Sequence, residues 1–103
     1  MINGIPQITA QELKQRLQAG EDLFVLDVRE PHEYQAANLG GKLIPMNEIP
    51  QRLDELDRTR EIVIHCHAGV RSQRVAEFLH QAGFAKVSNL TGGILAWGNK
   101  PAS

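Results

Sequence analysis

Cysteine is nearly missing from this chain: Cys66 is the only one. A lone thiol excludes an internal disulfide and fits a reducing compartment. A surplus of either charge is missing too. Eleven Lys and Arg stand against 12 Asp and Glu, a net charge of -1. No basic excess points to nucleic acid or to an anionic membrane surface. No apolar run approaches the roughly 20 residues that cross a bilayer. The opening residues, Met1 to Pro6, lack the charged start and apolar core of a signal peptide. Repeats, low-complexity tracts and linkers are absent as well. These absences leave a cytoplasmic protein as the default expectation, and oligomeric state stays open.

What is present is ordinary for a soluble globular protein, 42% apolar and 22% charged. A chain of 103 residues is expected to form a single domain over 1–103, with a core that needs no staples. Thr9 and Glu12 make a capping box for a helix to about Ala19, ended by Gly20. Leu23 to Leu26 is an unbroken apolar run, which fits a strand covered on both faces. It ends in Asp27-Val28-Arg29, and Pro31 suits the first turn of a short helix through Tyr34. Lys42 to Ile44 predicts a short strand, and a helix is expected from Asn47 with Leu53 and Leu56 facing inward. Ile62 to Ile64 is the most strand-like segment. Val75, Phe78, Leu79 and Ala82 fall on one helical face. Ala85 to Val87 predicts another strand, Thr91 to Gly93 a turn, and Ile94 to Trp97 a last helical turn. The polar tail from Gly98 to Ser103 is expected to fray. Strands and helices alternating at this spacing predict an α/β fold with a mainly parallel sheet.

In an open parallel sheet, ligands bind at the carboxyl ends of the strands. Cys66 sits at one such end and the Asp27/Arg29 pair at another. From Cys66 through His67, Ala68, Gly69 and Val70 to Arg71, the chain passes from strand to helix. Helix-start amides have no intrahelical partners and carry positive potential. A loop this short can aim them at one centre, an anion nest, and Gly69 permits the conformation. A thiol there is expected to ionise more readily than usual, and Arg71 and a protonated His67 would add to the effect. The thiolate is then the resting nucleophile, and the nest would hold a persulfide equally.

Other readings stand beside this one. A lone Cys after an apolar strand is commonly a small core residue. Asp27 and Arg29 read equally as a strand-end salt bridge or as part of the site. Tyr34 and Trp97 read most simply as partial-core aromatics, and Gly92-Gly93 as a turn. His65 and His67 flank Cys66, but strand alternation places them opposite the thiol, so no metal site is expected.

The residues at this point carry a resemblance. Leu26-Asp27-Val28-Arg29-Glu30-Pro31 with Glu33-Tyr34, Cys66-His67-Ala68-Gly69-Val70-Arg71-Ser72, and Gly83-Phe84 followed by Val87, Leu90-Thr91-Gly92-Gly93 and Trp97 resemble, in order, the three motifs of single-domain rhodaneses. The resemblance implies a three-layer α/β/α fold around a mainly parallel sheet of about five strands. It implies a sulfurtransferase without a cofactor, working through a Cys66 persulfide. Donors would be thiosulfate or a persulfide, and acceptors cyanide, a thiol or a sulfur-relay protein. Arg71 carries over as the loop's anion binder, Arg29 as a second basic group near the mouth, and Asp27 as a brace. Ala37-Asn38-Leu39-Gly40-Gly41-Lys42 departs from the family's usual Gly-His-Ile-Pro-Gly-Ala. It is similar to rhodanese domains attached to enzymes that activate small sulfur carriers, a hint of a protein acceptor. A non-enzymatic persulfide carrier or regulatory module is an alternative, although silent modules usually lack the cysteine. A dual-specificity-type phosphatase is another, but those enzymes use a loop one residue longer between Cys and Arg.

Overall fold

The computed structural model describes residues 1–98. Five strands form one sheet: β1 (Gln7–Ile8), β2 (Leu23–Asp27), β3 (Lys42–Leu43), β4 (Glu61–His65) and β5 (Val87–Leu90). Their order is β1-β5-β4-β2-β3, and every pairing is parallel. Four α-helices accompany them: α1 (Ala10–Gln18), α2 (Pro31–Ala36), α3 (Val70–Gln81) and α4 (Gly93–Trp97). The sheet and helices are those of the three-layer α/β/α fold expected from the sequence. No described helix is long and apolar enough to cross a membrane.

Alternation along the strands sorts side chains into two cores. On one face Leu26, Ile62, Ile64 and Cys66 pack with Val75, Ala76 and Leu79 of α3. On the other, Val63 and Leu90 pack with Leu13 of α1 and Trp97 of α4. β4 is central in the sheet, and the two cores cover both its faces, so Ile62, Val63 and Ile64 are at most 1% exposed. That explains its continuous apolar run. The capping box of α1 is complete: Glu12 N–H donates to Thr9 Oγ1 and Thr9 N–H to Glu12 Oε1.

Four expectations are corrected. The segment after Pro45 forms 3-10 turns at Met46–Gln51 and Leu53–Glu55 rather than an α-helix. Pro50 lies inside the first of these, where it supplies no N–H for an α-helical bond. Leu56 is buried nonetheless, and Leu53 packs against the core. β5 begins at Val87 and runs to Leu90, displaced from Ala85–Val87. Ser88 and Asn89 hide that strand in the sequence, because both are polar yet buried. Phe78 does not join the core face of α3: it is 41% exposed, and Ala76 takes the inward place. Finally, α2 continues past Tyr34 to Ala36. Of the tail expected to fray, everything after Gly98 lies outside the described residues.

Candidate active site

β2 and β4 are neighbours with Asp27 opposite His65. The two strand ends therefore form one rim. Cys66 follows β4 directly, and its side chain turns to the α3 side. Its neighbour His65 faces the other way and is fully buried, while His67 is exposed in the loop. The two histidines thus share no face and form no ligand pair.

The loop between β4 and α3 is tight because Gly69 stands at the N-cap of α3 with φ 101°, a left-handed conformation that favours glycine. The helix begins at Val70, so Val70 and Arg71 belong to its first turn. This turn aims amides at the sulfur. Gly69 N–H donates to Cys66 Sγ at 3.1 Å and Ser72 N–H at 3.3 Å, and Ser72 Oγ lies 3.2 Å away. Burial pushes the thiol's pKa up, but the Ser72 hydroxyl and the amides of Ser72, Gly69 and Ala68 outweigh it and hold it below the usual value. Hydrogen bonds to the charged form favour that form. Ala68 and Val70 lie toward the mouth, Val70 exposed and Ala68 likewise, whereas Cys66 itself is 1% exposed.

The start of α4 supports the loop from behind. Ile94 N–H donates to Cys66 O at 2.9 Å and Leu95 N–H to His67 O at 3.2 Å. With these carbonyls tied to α4, the loop's N–H groups are left to the thiol. The approach demands glycine at Gly93, where φ is 60° and a Cβ would lie 2.5 Å from the carbonyl oxygens of both Cys66 and His67. The Gly92-Gly93 pair, read from sequence as a turn, is therefore also a packing surface for the loop.

Behind Ser72 lies a polar chain with a fixed direction, buried at Ser72 and Asn89 and half-buried at Gln7 and Gln73. Gln7 Nε2 donates to Ile5 O and to Gln73 Oε1, which leaves Gln7 Oε1 to accept from Asn89 Nδ2. Asn89 Nδ2 also donates to Gly69 O. Asn89 Oδ1 must then face Ser72, whose hydroxyl donates to it. Ser72 and Asn89 went unassigned in the sequence. The signal for Ser72 is its place at the end of the Cys66–Ser72 motif, and that for Asn89 is a polar residue between apolar ones in β5.

Asp27 and Arg29 meet as the salt-bridge reading expects. Arg29 Nε and Nη2 donate to both carboxylate oxygens of Asp27, at 2.9 and 2.7 Å. Arg29 is 3% exposed and Asp27 is fully buried. Two further guanidinium N–H groups reach Glu33 O and Ala37 O, at 3.3 and 2.8 Å, in and just after α2. Arg29 is thus not a free cation at the mouth, which corrects that expectation. A buried charge needs a partner and saturated hydrogen bonds, and Arg29 spends its donors satisfying that need. It braces α2 against the rim.

Arg71 likewise has a partner that its position in the sequence does not suggest. Its Nη1 and Nη2 donate to Glu33 Oε1 and Oε2, at 2.8 and 2.9 Å. The Arg71 hydrogen bonds and charge hold the Glu33 carboxyl down at about 2. The Arg71 pKa is raised, first by the Glu33 hydrogen bonds and also by the charge of Cys66.

This architecture has known counterparts. The family model for the rhodanese-like domain matches residues 9–100. A protein of Allochromatium vinosum named sulfurtransferase is 38% identical over 90% of this chain and 88% of its own length. A putative sulfur carrier protein of Bacillus subtilis is 39% identical over 95% of this chain, which spans only 54% of that longer protein. The crystal structure of a rhodanese-like domain protein from Staphylococcus aureus superposes with a TM-score of 0.88 at 35% identity, covering 93% of this chain and 94% of that one. By family match, sequence identity and shared fold, the chain belongs to the rhodanese-like domain family.

Proposed function

We propose that this protein is a sulfurtransferase that carries a sulfane sulfur on Cys66. The observation that carries this reading is the pair of amides that donate to Sγ, Gly69 and Ser72 at 3.1 and 3.3 Å, with the Ser72 hydroxyl 3.2 Å away and able to turn to a thiolate. They favour a thiolate in a site that admits only a slender group, since Cys66 is 1% exposed. A terminal sulfur atom is such a group. The name of the Allochromatium relative supports the same reading.

In the first half-reaction Cys66 thiolate attacks the outer sulfur of thiosulfate or of a persulfide. The donor's S–S bond breaks, sulfite or a thiolate leaves with the bonding pair, and Cys66 persulfide forms. In the second, cyanide, a thiol or a protein thiol attacks the outer sulfur and Cys66 thiolate leaves. This is two-step covalent catalysis. His67, Ala68, Gly69, Val70 and Arg71 form the wall of the nest, whose amides stabilise thiolate and persulfide alike. Asp27, at the end of β2, and Arg29, just beyond it, support it.

A second reading, a persulfide carrier that hands its sulfur to a partner protein, is favoured by the Bacillus relative's name. A phosphatase is disfavoured because Arg71 follows Cys66 by five positions and its guanidinium is paired with Glu33. The test is turnover. With a sulfur donor and cyanide the protein should form thiocyanate catalytically, and Cys66→Ser should form none. A carrier would load once and turn over only with a protein acceptor. Aryl-phosphate hydrolysis that disappears in Cys66→Ser would overturn the proposal.

A further inference from the structure

We infer that Glu33 sets donor choice, turning the site away from thiosulfate and toward persulfides. This rests on the sulfurtransferase reading above. Arg71 stands in the first turn of α3, at the mouth where an anionic donor must approach. A guanidinium recognises an anion with the same fork that here grips a carboxylate. Both of its terminal nitrogens are on Glu33, at 2.8 and 2.9 Å.

Glu33 is not a loose surface acid that drifts aside. Its Oε1 also accepts from Glu30 N–H at 2.9 Å, in the capping box of α2. Its backbone carbonyl accepts from Arg29, itself locked to buried Asp27. α2 therefore presents the carboxylate to Arg71 in a built position. The negative field of Glu30 also reaches Arg71. Isolated surface ion pairs contribute little, but a bidentate, anchored pair is the geometry in which they matter.

The consequence differs between donors. Thiosulfate brings two negative charges to a thiolate and releases a sulfite dianion. It needs an unpaired cation at the mouth and must displace Glu33 to obtain one. A persulfide brings at most one charge on its sulfane end. Its transfer is balanced by a single departing thiolate: Cys66–S⁻ plus R–S–SH gives Cys66–S–SH plus R–S⁻. The nest amides suffice for that step, so the occupied guanidinium penalises only the dianion.

The test compares rates of Cys66 loading, followed by intact mass, with thiosulfate and with the persulfide of N-acetylcysteamine, which carries no charge beyond its sulfane end. Glu33→Gln removes the charge and keeps an oxygen for the Glu30 N–H. It should raise the thiosulfate-to-persulfide rate ratio about fivefold or more, the scale of one neutralised charge at contact distance in water. Arg71→Met, made alone and with Glu33→Gln, guards against a rearranged loop. In the Arg71→Met background the Glu33→Gln gain in the ratio should vanish. A ratio unchanged or lowered by Glu33→Gln, or a gain that persists without the arginine, overturns the inference and leaves sulfur transfer standing. Failure of both donors to load the wild-type protein overturns this inference, and failure of a cysteine desulfurase with cysteine as well overturns sulfur transfer with it.

Discussion

The hydroxyl proton of Ser72 has two claimants. Asn89 Oδ1 accepts it in the structure, while Sγ of Cys66 lies 3.2 Å from the Ser72 oxygen. With the proton on Asn89, Ser72 offers the sulfur a lone pair and can accept from a thiol. Once Cys66 ionises, the hydroxyl gains by turning to the sulfur. Neighbouring substitutions should therefore act in opposite directions. Ser72→Ala removes a donor to the thiolate and should raise the Cys66 pKa, slowing loading at neutral pH by about three- to tenfold, on the scale of one lost hydrogen bond. Asn89→Leu frees the hydroxyl for the sulfur and should lower that pKa, while costing about 1–3 kcal/mol of stability for the partners left behind. Titration by thiolate ultraviolet absorbance reads both, and shifts of one sign in the two variants would refute the coupling. Cys66 and the amides around it were legible at this scale as a candidate site, since Cys66, Gly69 and Arg71 lie within six successive residues. The Glu33–Arg71 pair was not, because 38 positions separate its members.

At the scale of elements, the loop is held by what packs around it. α4 is short, yet its first amides secure the carbonyls of Cys66 and His67. Gly93→Ala should push the loop off α4. The left-handed backbone alone costs about 1–3 kcal/mol, and the overlap with the loop carbonyls adds to it. Urea unfolding should show the loss, and the surviving protein should load sulfur poorly. Normal loading in a fully stable variant would mean that α4 does not set the loop. On the opposite wall, Arg29→Met leaves Asp27 buried without its cation, which should cost about 3–5 kcal/mol. A loss under about 1 kcal/mol in the same assay, the scale of an exposed pair, would show that the pair does not brace the rim. Local chemistry announced α1 through its capping box and β2 and β4 through apolar runs. It failed where tertiary contacts decide. Pro50 turned an expected helix into 3-10 turns, and hydrogen bonding made buried Ser72 and Asn89 acceptable in a core. Phe78 fits the helical period but lies beyond what the sheet covers.

For the molecule as a whole, the alternation of strands and helices was enough to predict a parallel α/β sheet. The order of its strands depends on pairings between distant segments. One consequence of the folded whole is a response to acid. His65 is fully buried, and its ring nitrogens lack a hydrogen-bond partner among the described residues. Burial pushes its pKa down, Asp27 pulls it partly back up, and Arg29 pushes it down again. The unfolded chain therefore binds a proton at this residue at a pH where the folded chain does not. Stability from this source is complete above the unfolded value of about 6.5 and is lost as pH falls from there through the lower folded value. Urea unfolding between about pH 7 and pH 5 should show the decline, and His65→Leu should flatten it. An equal slope in both proteins would rule His65 out as its source.

The central claim is that the loop amides hold Cys66 as a thiolate that accepts one sulfur atom. Intact-protein mass after incubation with thiosulfate, with a low-mass persulfide, or with a cysteine desulfurase and cysteine tests it most directly. The expected result is one added sulfur on the wild-type chain, removed by cyanide or a thiol and absent in Cys66→Ser. A wild-type chain that none of these donors loads, or equal loading of Cys66→Ser, would contradict the account.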